Sequence, residues 1–151
     1  MAGLQAKYAD SAGLGLNLPL LLYFASVMKP SRYERSSVEK LLRKKTKDLR
    51  ITKWPGPIAS WLIGKLGDKE FQAHWRGKDE KDTLDRQWDA EFYQGIFHYT
   101  QGKYPAFNAT LQKLTDVSRA EWSDEDFFLT RMWGSEFFLA RYELEAGGSR
   151  N

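Results

Sequence analysis

The residues of this chain that could do chemistry are two histidines, several clusters of carboxylates and one run of cations. His74 stands between Phe71 and Trp75, and His98 stands between Phe97 and Tyr99. A general base needs a partner to orient it, and a metal ligand needs companions at helical spacing. Asp89 or Glu91 could join the histidines around a metal, but no H-x-x-x-H or H-E-x-x-H pattern is present. Both histidines therefore read as packed or rim side chains, with no catalytic residue, no metal site and no cofactor site expected. Asp124 to Asp126 read as the acidic first turn of a helix, where the helix dipole favours negative charge, with an acidic docking patch as the alternative. Asp79, Glu80, Asp82, Asp85, Asp89 and Glu91 read as a solvated helix face. Gly13-Leu14-Gly15 has neither the preceding strand nor the third glycine of a dinucleotide fingerprint. The cations are denser. Ten Lys and Arg face three acids between Lys29 and Lys53, and Lys40, Arg43, Lys44 and Lys47 make a basic ridge at helical spacing. That ridge is a solvated face or a contact for phosphates.

The elements that must position these residues are helices. With 151 residues, 42% of them hydrophobic and 15% aromatic, the chain has apolar surface enough for one domain with a real core. A net charge of +3 does not demand a polyanionic partner. There is no cysteine, which excludes disulfides, thiol catalysis and Cys-based metal sites in these residues. Residues 1–15, rich in Gly, Ala and Ser, read as a flexible lead, 16–146 as the helical domain and 147–151 as a flexible tail. The apolar run from Leu14 to Met28 is interrupted by Asn17 and Pro19 and is short for a bilayer, so it reads as a buried helix and not a membrane span.

Breakers divide the rest. A first helix is expected over about Leu18 to Met28, closed by Pro30. A second carries a capping box at Ser36-x-x-Glu39. A third runs from Pro57 to about Leu66 and stops at Gly67, and a fourth is capped by Asp68 and ended by Gly77. A fifth spans about Glu80 to Gln101, stopped by Gly102, and a sixth opens at Pro105. A seventh starts after Ser123 and runs to about Glu145. No segment shows the alternation of a strand. The expectation is an all-α fold, a short solenoid of about seven helices in hairpins.

The pairing of the helices rests on glycine. Ile58-Ala59-Ser60-Trp61-Leu62-Ile63-Gly64 and Ala90-Glu91-Phe92-Tyr93-Gln94-Gly95 each place bulky residues before a Gly that would admit a neighbouring helix. Gly102 follows Gly95 by seven residues and precedes Lys103-Tyr104, which resembles the centre of a tetratricopeptide unit. The chain departs from that pattern at Glu91, Gln94, His98 and Phe107. Trp54, Ile58, Trp61, Gly64 and Asp68, with Glu91-Phe92-Tyr93-x-Gly95-x-Phe97-x-Tyr99-x-x-Gly102-Lys103, resemble the bacterial lipoproteins of the new lipoprotein I type over roughly Leu18 to Leu144. The resemblance implies tetratricopeptide-like helix pairs, no catalytic residues, dimerisation and service as an adaptor for cell-envelope enzymes. It also places Trp61, Lys65, Asp89, Phe92, Ile96 and Tyr99 along a concave groove for a protein or peptide partner. The alternative is that Trp61, Phe92 and Ile96 fill the core. Without a lipobox Cys or a clear signal peptide, a cytoplasmic location is favoured over the envelope.

The last helix has one apolar stripe of Leu129, Trp133, Phe137, Ala140 and Leu144, and another of Phe128, Met132, Leu139 and Tyr142, with Phe127 and Phe138 nearby. A second stripe left in water marks an interface, so a homodimer through Phe128, Met132, Trp133, Phe137 and Phe138 is expected. The alternative cover is the N-terminal segment or the first helix. The expected function is a non-catalytic protein-interaction scaffold. A nucleic-acid-binding module using the basic ridge is the second possibility, and a small-molecule enzyme with an aromatic pocket the third.

Overall fold

A computed structural model describes residues 15–47 and 52–121, with side chains through residue 114. The described residues form six α-helices and no strand: α1 Asn17–Met28, α2 Arg35–Lys45, α3 Gly56–Leu62, α4 Asp68–Ala73, α5 Glu80–Thr100 and α6 Tyr104–Glu121. The expected seventh helix and the dimer residues Phe128, Met132, Trp133, Phe137 and Phe138 lie outside the described residues. The chain divides into two compact units, Met1–Gln87 and Trp88–Asn151, with the division falling inside α5.

In the first unit α1 packs on α2, α2 on α3, and α3 on α4. Leu20, Tyr23, Phe24 and Val27 bury one side of α1, and Val38 and Leu42 bury the matching side of α2. The Tyr23 ring is buried beneath the Arg35 guanidinium, which lies 5.6 Å from the ring centre and donates to the phenol oxygen at 3.4 Å. Burial pushes the Tyr23 hydroxyl above its ordinary value, against the opposing pull of Arg35. All seven residues of α3 are buried. None of the described helices is long and apolar enough to cross a membrane.

Several helix ends differ from the sequence expectation: α4 stops at Ala73 with His74 as its C-cap and not at Gly77, and three others differ for a local reason. The N-cap of α2 is Glu34, and Ser36 and Ser37 donate their hydroxyls to its carboxylate at 2.7 and 2.8 Å. The expected capping box at Ser36-x-x-Glu39 does not form: the helix begins two residues earlier with no side-chain cap bond, and Glu39 is taken by Arg35 at 2.9 Å. The N-cap of α4 is Gly67, whose N–H donates to Glu70 Oε2 at 2.9 Å. Asp68 is the first helical residue instead, and accepts from the Trp61 indole at 2.8 Å.

The third difference is in the glycines. α3 stops at Leu62, not near Leu66, since Gly64 takes the left-handed conformation at φ 74°. The N–H groups of Gly64 and Lys65 then donate back to the carbonyls of Trp61 and Ser60 at 2.9 and 2.8 Å. This closure satisfies carbonyls that a helix end otherwise leaves open. α5 ends the same way. Gly102 sits at φ 71°, and the N–H groups of Gly102 and Lys103 reach the carbonyls of Tyr99 and His98, both at 3.0 Å. Gly64 therefore matches Gly102, and not Gly95 as its flanking residues suggested. Gly95 lies inside α5, where a Cβ would stand 3.0 Å from Thr110 Cγ2 and 3.8 Å from Phe107 Cδ2 on α6. Its missing side chain is what lets those two helices approach.

Candidate functional site

The second unit contains most of the expected groove. Asp89, Phe92, Ile96 and Tyr99 fall within an arc of about 80° on α5, so they do form one stripe. The stripe faces inward. Phe92 and Ile96 have no exposed surface, while Asp89 and Tyr99 are half-buried at its two ends. The core around them comprises Ala90, Tyr93, Phe107, Leu111 and Leu114. At the turn Tyr99 packs edge-on against Tyr104 at 5.1 Å and Phe107 at 5.0 Å between ring centres. Tyr104 is 54% exposed, so these rings form an aromatic ledge open to solvent at the closed end of the hairpin. Lys113 on α6 and Glu91 on α5 pair at 2.7 Å on the outside of the same hairpin.

Trp61 and Lys65, the remaining groove residues, belong to the first unit. Trp61 is buried, stacked on Phe71 with ring centres 5.0 Å apart and planes 14° from parallel, and Phe71 meets Trp75 edge-on at 5.8 Å. Lys65 is exposed along its length, yet its ammonium donates to both the carbonyl and the hydroxyl of Thr46 at 3.2 Å. Thr46 is the C-cap of α2, so Lys65 places a cation at the negative end of that helix.

All four ridge residues are exposed, Lys40, Arg43 and Lys44 on α2 as the sequence periodicity places them and Lys47 in the turn past its end. None has an ion pair among the described residues.

The histidines stand apart from any described cluster of metal-binding side chains. His74 is half-buried, and its main-chain carbonyl accepts from Arg86 at 3.4 Å. His98 is also half-buried, with Nδ1 enclosed and unbonded.

Sequence reasoning missed the organising role of Arg86. Its guanidinium bonds Asp82, the carbonyls of His74 and Arg76, and lies 5.7 Å from the Trp54 ring centre. The four-residue spacing to Asp82 was the available signal. Two acids of the 79–91 run are likewise employed at the start of α5. Asp79 Oδ1 accepts from the Asp82 N–H and caps α5, while Asp82 accepts from the Lys78 N–H, both at 2.8 Å. That backbone bond, more than the Arg86 cation, holds the Asp82 carboxyl below its ordinary value.

Comparison with protein-family models, curated proteins and solved structures finds no match to this chain.

Proposed function

We propose that this chain is a non-catalytic, tetratricopeptide-like scaffold that binds a protein segment and associates with a second copy of itself. The observation that carries the reading is the α5–α6 hairpin. Its turn is locked by a left-handed glycine, its helices are drawn together at Gly95, and its end presents Tyr99 and the exposed Tyr104. A rigid, half-exposed aromatic ledge contributes contact area with little side-chain entropy to lose, which is how binding hot spots are built. Asp89, at the other end of the stripe, would add a charge. The resemblance to adaptor lipoproteins of the new lipoprotein I type supports the same reading, on residues of both hairpins.

Affinity capture from the native host tests it. Relative to the parent, a Tyr99→Ala, Tyr104→Ala, Asp89→Ala variant should lose a defined set of captured proteins while keeping its helical circular dichroism. Equal capture by a folded variant removes the hairpin from the proposal. Self-association rests on the two apolar stripes between residues 127 and 144. Sedimentation at micromolar concentration should show a dimer that Phe138→Glu dissociates, and a clean monomer of the parent would refute it.

A further inference from the structure

We propose that the exposed face of α2 is a sequence-independent binding site for the phosphodiester backbone of nucleic acid. Lys40, Arg43 and Lys44 lie within an arc of about 100° and a rise of about 6 Å on α2, and Lys47 follows in the turn just past its C-cap, which makes a compact cationic row. The interior does not need them. Val38 and Leu42 supply the buried side of α2, and Lys65 already serves the C-terminal end of the helix through Thr46.

Five of the eight acids described in the first unit have bonds of their own away from the row. Glu39 is paired with Arg35, Asp82 with Arg86, Asp68 holds the Trp61 indole and Glu70 holds the Gly67 N–H. Glu34 accepts from Ser36 and Ser37 and feels Lys40 only as a weaker influence. Across the described parts of this unit, fifteen Lys and Arg face eight Asp and Glu, whereas the described part of the second unit has three against four. Among the described residues the excess of cations belongs to the unit that carries α2.

The chemistry of the row selects among anions. Three of the four cations are lysines, compact point charges that can bind phosphate without a bidentate fork. Lysine is depleted from protein–protein interfaces, and α2 shows no exposed aromatic anchor, whereas nucleic-acid interfaces are strongly cationic. A membrane-surface helix needs an apolar side free to insert, and that side of α2 is inside the unit. With no aromatic residue within α2 to stack on bases, the contact is to backbone and carries no sequence preference.

Fluorescence anisotropy of the full chain with a labelled random-sequence DNA duplex tests the assignment. Four phosphate contacts give a log–log salt slope of about −3.6, so affinity should fall roughly a hundredfold between about 50 and about 200 mM salt. An Arg43→Ala, Lys44→Ala, Lys47→Ala variant should lose most binding and flatten that slope by about 2.7. A Lys69→Ala, Arg76→Ala, Lys81→Ala variant removes the same charge from other exposed positions of the unit and should retain the slope of the parent. Equal loss in both variants would reduce the effect to net charge and overturn the site. So would displacement of the duplex by polyglutamate or by anionic vesicles as effectively, per charge, as by unlabelled duplex.

Discussion

The α3–α4 and α5–α6 hairpins close with the same turn and use their aromatic residues in opposite ways. In both, the residue three before the left-handed glycine is aromatic and supplies a carbonyl to the closure: Trp61 before Gly64, and Tyr99 before Gly102. Trp61 goes inside, stacked on Phe71 and bonded to Asp68, in a helix with no exposed residue. Tyr99 stays half-buried beside an exposed Tyr104. A shared turn therefore fixes where a helix ends without fixing what its last side chains do. What decides that is the next helix, which offers Trp61 a flat ring and a carboxylate and offers Tyr99 two ring edges.

The largest expected effect probes the buried side of this contrast. Phe71 lies between Trp61 and Trp75 with no exposed surface, and Phe71→Ala should cost about 3–5 kcal/mol in denaturant unfolding. Tyr104→Ala on the exposed ledge should cost well under half of that. Comparable losses would mean that both hairpins are core elements.

Next come the two turns, where the hairpins should behave alike. A Cβ on Gly64 or Gly102 meets nothing within 4 Å, so Gly64→Ala and Gly102→Ala carry only the backbone cost of the left-handed conformation, about 1–2 kcal/mol each. Unequal costs in chemical denaturation would break the equivalence of the turns.

Gly95 has no counterpart in α3–α4, and its test is smaller. Removing a mid-helix glycine gains roughly 0.5–1 kcal/mol in backbone entropy, but the new methyl would press on Thr110, whose hydroxyl is held by the Ala106 carbonyl at 2.9 Å. Gly95→Ala should be net destabilising alone and stabilising in a Thr110→Ser background, as thermal melts of the two pairs would show. A stabilising single variant would mean that α6 yields freely.

The smallest effect depends on pH. Asp82 has its folded value lowered from 3.8, so its contribution is present above the unfolded value and is lost as pH falls through the folded one. Asp82→Asn should lower stability at neutral pH slightly and make the acid side of the stability profile shallower. An unchanged acid profile would show that the bonds from the Lys78 N–H and Arg86 to the Asp82 carboxylate contribute nothing.

Much of the helix placement was legible because prolines and glycines punctuate this chain heavily. The ends of α1, α2, α5 and the start of α6 fall within two residues of where Pro30, Ser36, Gly102 and Pro105 place them. Caps were less legible, because Ser36 and Asp68 have the right chemistry for a cap and only the competing partners, Glu34 and the Trp61 indole, show why they serve elsewhere. Gly64 and Gly95 look alike in sequence, since the sign of φ is invisible there and flanking bulk is not. The basic face was readable because exposed cations along one helix and the turn after it need no tertiary information. The groove was not, because periodicity gives Phe92 and Ile96 a common side without saying whether that side meets solvent or α6.

The approach of Thr110 to Gly95 also has an evolutionary consequence. Positions 64 and 102 each answer to a backbone torsion and are constrained singly, so in any lineage that keeps these turns both should remain glycine whatever surrounds them. Positions 95 and 110 share one small volume, so a side chain gained at one is compensated by a side chain reduced at the other. The first pair would be recorded as invariance and the second as covariation, two different signatures left by the same amino acid.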